Sequence, residues 1–229
     1  MSSEIPHLKE RLAEAARYAL MRRLLPAIRH NLAGTLQPIG MMSAMLEKRM
    51  GSAAPDMGQL VRNAQALTSL SREAAATSLN LMTWLAPKDN EPVAVGAAVE
   101  ESIGLMGTEL SFRGFALDNQ ATESTTKLPR GMLRSVFMAS LIALTDTVDQ
   151  PAGVVVSVHG GPGDTRLRIE LQADALADPP FPLNRMPTYR NLHWADVQAL
   201  ADAEGVHIEY ARDFAQLRHS GSNSSLSAS

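Results

Sequence analysis

The chain has 229 residues, 45% of them hydrophobic, so it can bury a substantial core in one large domain or two small ones. Its net charge of −3 offers no overall basic field for nucleic acid or an anionic membrane surface, and the absence of cysteine excludes disulfides, thiolate chemistry and cysteine-based zinc sites. No apolar run approaches the roughly 20 residues that span a bilayer, and the N-terminus has no apolar signal-peptide core. We therefore expect a cytoplasmic protein that binds neither nucleic acid nor membrane.

The first third of the chain predicts two long helices. Residues 7–50 are rich in Ala, Leu, Met, Glu and Arg and predict the first helix, with prolines that can bend it. After a turn at 51–55, apolar residues recur at helical spacing over 57–85 and predict the second helix. The short turn predicts an antiparallel hairpin. Two copies would bury its apolar stripes as a four-helix bundle, which predicts a homodimer; the alternative is that the rest of the chain covers the hairpin.

One histidine, His30, lies in the middle of the first predicted helix. At about 100° per residue it lies roughly 150° from the centre of the apolar face, so it is predicted to face water. The apolar face holds Leu24, Ile28, Leu32, Thr35, Ile39, Met42 and Leu46. An exposed imidazole near a cation, Arg23, and a residue without a side chain, Gly34, is accessible to a molecule with an anionic group. Spacing alone does not separate this arrangement from an ordinary solvated histidine.

The second half of the chain has a mixed α/β pattern after a polar linker. Helices are predicted over 99–109, 129–147 and 191–204, the last one ending at Gly205. Strands are predicted over 92–95, 116–119, 154–159, 167–171 and 206–210. A glycine-rich turn at 160–164 predicts that the third and fourth of these strands form a hairpin.

These elements predict an α+β protein with two domains. Residues 1–88 would form the long antiparallel helical hairpin, and residues 89–217 an α/β sandwich. Within the sandwich, the proline-rich stretch 173–190 is expected to be irregular. The serine-rich end, 218–229, is predicted to be a disordered tail.

This order of elements resembles the two-domain core of two-component histidine kinases over roughly residues 8–214. Of the family's pattern around the phosphoacceptor histidine, the sequence retains His30, Leu32 and Leu36. Asn31 stands where the family has an acidic residue. The resemblance implies that the hairpin is a dimerisation and phosphoacceptor domain, that the sandwich is an ATPase-like domain, and that His30 is the reactive residue.

Departures from the family pattern imply that the ATPase-like domain is degenerate. In the family, an Asn-bearing helix and two glycine-rich loops hold ATP and Mg²⁺, because backbone amides without side chains can approach phosphates. Here the helix 129–147 has no Asn, and no glycine lies between Gly163 and Gly205, where both loops should fall. Asn31 also cannot serve as the base that the family's acid provides. We therefore expect no cofactor and no ATP-dependent self-phosphorylation.

The resemblance, together with these departures, implies a histidine phosphotransferase that exchanges phosphoryl groups between His30 and receiver domains of response regulators. The receiver would bring its own Mg²⁺, and no metal-binding or cofactor-binding residue is predicted. The residues predicted to orient phosphate or contact the partner are Arg23, Arg29, Asn31, Gly34 and Gln37. The alternative is a non-catalytic dimeric pseudokinase or adaptor that binds a response regulator or a kinase, which Asn31 favours. A third interpretation, an atypical active kinase, requires ATP binding with micromolar affinity.

Overall fold

A computed structural model describes residues 4–85, 91–148, 152–161, 164–172 and 191–219. The chain divides into two compact units: Leu25–Lys88 forms one, and Met1–Leu24 joins Asp89–Ser229 in the other. This division differs from the predicted 1–88 and 89–217, because the beginning of the first helix clusters with the α/β elements. The stretch predicted to be irregular, 173–190, and residues 220–229 of the predicted tail lie outside the described residues.

Two helices form the N-terminal hairpin, α1 (Glu4–Met50) and α2 (Met57–Leu85). The helix α1 continues through both of its internal prolines, although each proline removes one backbone hydrogen bond. At the start of α2, the Asp56 carboxylate accepts a hydrogen bond from the Gln59 amide at 3.1 Å, which satisfies one of the unpaired amides of the first turn. The predicted helical hairpin is confirmed.

Burial in the hairpin unit is uneven. Its buried side chains are few: Ala27, Ile28, Asn63, Ala74, Leu81 and Trp84. One face of α2 instead exposes apolar residues at helical spacing, which we name the α2 stripe: Met57, Val61, Ala64, Ala75, Leu79 and Met82. A single chain therefore leaves one apolar face of α2 open to solvent.

A five-stranded sheet forms one layer of the α/β unit, with strand order β2-β4-β5-β7-β6. Its strands are β2 (Ala116–Asn119), β4 (Gly153–His159), β5 (Arg166–Gln172), β6 (Val206–Tyr210) and β7 (Phe214–His219). The β2–β4 pair is parallel, and the other pairs are antiparallel. A separate antiparallel ribbon joins β1 (Pro92–Ala94) to β3 (Lys127–Pro129). Alternate side chains of the large sheet, such as Leu167, Ile169 and Leu217, are fully buried, so one face of the sheet faces the core.

Helices form the second layer of the α/β unit. They are α3 (Val95–Phe112), α4 (Met138–Asp146), which continues a π-helical segment (Met132–Phe137), and α5 (Trp194–Glu204). The helix α3 contacts β2, α4 contacts β7, and α5 contacts both β6 and the π-helical segment. The structure thus confirms the predicted α+β class, a helical hairpin followed by an α/β sandwich.

Two strands were not predicted from the sequence. The short strand β3 precedes the π-helical segment, and β7 completes a hairpin with β6 in which the Ala211 amide donates to the Phe214 carbonyl at 2.9 Å. Because Arg218 and His219 belong to β7, the prediction of a tail beginning at residue 218 is wrong for those two residues. Ala215 is the reason that β7 is hard to recognise: this small residue occupies a buried position where a strand pattern would show a large one.

Candidate functional site

The predicted reactive residue, His30, lies in the hairpin unit near the middle of α1. Its side chain is exposed, whereas Ala27 and Ile28 in the preceding turn are buried. An imidazole near neutral pH offers one ring nitrogen with a free lone pair, so it can act as a nucleophile toward an electrophile that arrives from solvent. The surroundings of His30 therefore determine what can reach it.

The surface next to His30 is open and polar. Gly34, one helical turn further on, is exposed, and a methyl group added there would meet no other atom within 4 Å. Arg29 and Gln37 are exposed as well, and Asn31 is half-buried. The hairpin unit thus presents a cation, an amide and a bare stretch of backbone beside an accessible imidazole.

Arg23 differs from this group because it belongs to the α/β unit. Its side chain is 10% exposed; its Nη1 lies 2.6 Å from Glu109 Oε1 and its Nη2 3.1 Å from Asp146 Oδ1. Burial alone would lower the pKa of Arg23, but the charges of Asp146 and Glu109 outweigh it, and the pKa is raised. The prediction that Arg23 faces water beside His30 is wrong, since the helical projection considered α1 alone and two carboxylates from other helices cover this residue.

The acidic partners of Arg23 were not recognised in the sequence, although a signal was present. Glu109 lies in the last turn of α3, and Asp146 is the last residue of α4. The C-terminal end of a helix carries partial negative charge, so acidic side chains there are unfavourable without a nearby cation. An acid that ends a strongly apolar helix therefore indicates an arginine or lysine partner.

The helical segment from Met132 to Thr145 is deeply buried in the α/β unit. From Met132 to Thr145, through the π-helical segment and α4, no side chain is exposed. Within the described part of the chain, no three histidine or acidic side chains lie close enough to hold a metal ion. None of the helices described in the structure has the length and apolar character needed to cross a membrane.

No protein-family model matches the chain, and no curated protein matches it. Among solved structures, the histidine kinase AdeS of Acinetobacter baumannii is 19% identical, with a TM-score of 0.42, and the match covers 87% of this chain and 98% of that one. A bacterial phosphotransferase is 16% identical, with a TM-score of 0.39, over 87% of this chain and 94% of its own. The histidine kinase ThkA in complex with the response regulator protein TrrA is 10% identical, with a TM-score of 0.38, over 93% of this chain and 65% of that chain. The chain is thus similar in the arrangement of its elements to histidine kinases and to a bacterial phosphotransferase over most of its length.

Proposed function

We propose that this protein is a histidine phosphotransferase of a two-component phosphorelay, which exchanges phosphoryl groups between His30 and receiver domains of response regulators. The observation that carries the proposal is the exposed imidazole on α1, with open space at Gly34 beside it. A receiver domain carries its phosphoryl group in a recess, so a histidine that reacts with this group must be exposed on the surface of its own protein. The hairpin provides such a histidine.

The transfer needs only two reacting groups, the imidazole nitrogen of His30 and the aspartyl phosphate of the receiver. The lone pair of an imidazole nitrogen forms a bond to phosphorus as the bond from phosphorus to the receiver's aspartyl oxygen breaks. The aspartate leaves as a carboxylate with the electron pair, and the ring proton is lost to water. Mg²⁺ bound in the receiver would neutralise charge on the phosphoryl oxygens, and the exposed side chains of Arg29 and Gln37 would orient those oxygens.

Self-phosphorylation from ATP is not part of the proposed function. A nucleotide site needs a concave surface with polar groups or bare backbone amides that face the phosphates. The helix in the corresponding place, 132–145, exposes no side chain and contains no Asn. Asn31 in addition offers no carboxylate to accept a proton from His30.

We further propose that the active form is a homodimer in which two hairpins form a four-helix bundle. The α2 stripe supports this arrangement, because it is an apolar helix face that a single chain leaves exposed. A second copy buries the same face on both chains about a two-fold axis.

The experiment is phosphoryl transfer from receiver domains of the source organism, charged with a radiolabelled small phosphodonor. Wild-type protein and the His7→Ala variant should both acquire label, since His7 is an exposed histidine on the same helix. The His30→Ala variant should acquire none while it still binds the receiver. Labelling of the His30→Ala variant at the wild-type rate would refute the proposal.

Asn31 favours a second candidate function, a non-catalytic dimeric adaptor or pseudokinase that holds a response regulator or a kinase. An amide next to His30 retains hydrogen-bonding capacity for a partner without the basicity that phosphoryl chemistry uses in the kinases this sequence resembles. In this case the wild-type protein binds a receiver domain but never acquires label. Calorimetric titration with ATP tests both candidates, because micromolar affinity would favour the third interpretation, an atypical active kinase.

A further inference from the structure

The first part of α1 is built into the α/β unit. Residues 4–24, which we name the strap, cluster with the sheet and its helices rather than with the hairpin. The strap has a narrow buried side of small and apolar residues: Ala13, Ala16, Leu20 and Leu24. Its other large side chains, such as Leu8, Leu12 and Tyr18, are more than half exposed. Apolar burial by the strap is therefore modest for a segment of this length.

Charge provides further contacts of the strap. Arg23 reaches Glu109 and Asp146, at the ends of α3 and α4, and Arg17 Nη2 lies 3.1 Å from Oε1 of Glu204, the last residue of α5. Three helices thus carry an acidic residue in their last turn, and two arginines of the strap pair with these acids. Because helix C-termini already carry partial negative charge, the arginines relieve an electrostatic cost that the α/β unit creates by itself.

A second arginine in this cluster belongs to the α/β elements. Arg113, just after α3, has its Nη1 2.9 Å from Asp146 Oδ1 and 3.8 Å from Glu109 Oε1, and its Nη2 donates to the Thr145 carbonyl at 2.9 Å. Burial lowers the pKa of Arg113, and the neighbouring charge of Arg23 adds to this, although Asp146 and Glu109 oppose it. When Arg23 is absent, Arg113 still neutralises one of the two acids.

The acids of the cluster keep unused hydrogen-bonding capacity. Arg23 Nη2 donates to Asp146 Oδ1 at 3.1 Å and Arg23 Nη1 lies 2.6 Å from Glu109 Oε1, but Asp146 Oδ2 has no hydrogen-bond partner among the described residues. Buried ion pairs add little net stability, because desolvation offsets their attraction, but they fix which groups meet. On release, water can solvate the acids while Arg113 remains beside them.

We propose that the strap detaches from the α/β unit as one segment, with the sheet and its helices still folded, and that Arg23 is the latch that holds it. The protein then has two states, strapped and released. They differ in the environment of the strap, the first part of the helix that also carries His30, two turns after Arg23. A ligand that favours one of these states acts on α1 without touching His30.

Hydrogen exchange of the full-length protein, followed by mass spectrometry of peptides, tests the latch. The Arg23→Gln variant should exchange strap amides about tenfold faster than wild type, which is the effect expected when a charged hydrogen-bonding group is lost. Amides of β4 and β5 should keep their wild-type rates. The matched control is Arg11→Gln, which removes an exposed arginine of the same segment and should change neither set.

Two outcomes would overturn the proposal. Unchanged strap amides in Arg23→Gln would mean that Arg23 does not hold the segment. An equal acceleration in β4 and β5 would mean that the strap is a permanent part of the core. The double variant Arg23→Glu with Glu109→Arg restores two positive and two negative charges, and it should recover slow exchange in the strap. None of these measurements involves phosphoryl transfer, so the result is independent of the function of His30.

Discussion

Gly34 leaves the surface beside His30 without a side chain, and this suggests a substitution that separates folding from function. A Gly34→Leu variant should fold at least as stably as wild type, because leucine favours a helix over glycine by roughly 0.8 kcal/mol. Its side chain occupies the space that the proposed receiver domain needs. We expect phosphoryl transfer to fall by about tenfold or more, as a steric conflict of 1–3 kcal/mol implies. Thermal unfolding and the transfer assay measure the two effects.

Gly40 provides the matched control for this substitution. It lies on the same helix, and an added methyl group there would also meet no atom within 4 Å. Ten residues beyond His30, it faces a different side of α1 at 100° per residue. The Gly40→Leu variant should transfer at the wild-type rate. Equal losses in both variants would mean that Gly34 has no special relation to the partner.

Arg23 shows what residue-level sequence analysis can and cannot provide. Periodicity correctly predicts that α1 is one long helix, but it treats a helix as if only water surrounded its polar side. The acids that cover Arg23 are 86 and 123 residues away along the chain, a relation that no local pattern contains. Exposed positions in the hairpin unit, such as those of His30 and Gln37, agree with the projection, because little else packs on that side of the helix.

At the scale of single elements, α3 depends on the loop before β3 for its first hydrogen bonds. The Val95 amide donates to the Thr126 carbonyl at 2.8 Å and the Gly96 amide to the Ser124 carbonyl at 3.2 Å, and no side chain caps this helix. A Cβ at residue 96 would collide with the carbonyl oxygens of Thr122 and Ala121. The close approach of helix and loop thus requires glycine at this position.

Two alanine substitutions in α3 should therefore have opposite effects on stability. Gly96→Ala should lower the free energy of unfolding by about 1–3 kcal/mol, because the backbone of the loop must move. Gly104→Ala should raise it by about 0.5–1 kcal/mol, since Gly104 is exposed and has no atom within 4 Å of an added methyl group. Chemical denaturation measures both. A stabilised Gly96→Ala variant would contradict the close packing of the start of α3 against the loop before β3.

Strands were predictable where their pattern was strong. The hairpin of β4 and β5 follows from alternating apolar residues around glycines, and Gly160 takes a positive φ of 87° that favours glycine. The strand β7 has alanine at one buried position, so its alternation is weak until β5 and β6 are placed on either side of it. Sheet edges and partners are decided by the whole fold, whereas the local pattern indicates only that a segment can be a strand.

At the scale of the whole molecule, the homodimer remains a prediction, and the α2 stripe makes it testable. Lysines at Val61 and Leu79 place two charges on the apolar face that a bundle would bury. Light scattering at micromolar concentration should give twice the mass of one chain for wild type and the mass of one chain for the Val61→Lys, Leu79→Lys variant.

The control for this prediction adds the same charge elsewhere on α2. Gln65 and Asn80 are exposed polar residues outside the stripe, so a Gln65→Lys, Asn80→Lys variant should remain dimeric. If both double variants behave alike, the α2 stripe is not the dimer contact. A monomeric wild type would refute the four-helix bundle, because no second copy would then bury the α2 stripe.

The pairing of Arg17 with Glu204 also has a consequence for how the protein is made. These residues are 187 positions apart, so the first turns of α1 leave the ribosome long before the end of α5 exists. At about 5–20 residues per second, the delay is roughly ten to forty seconds. The helices of the hairpin are synthesised during this interval, while the beginning of the nascent chain still lacks its acidic partners and is available to chaperones.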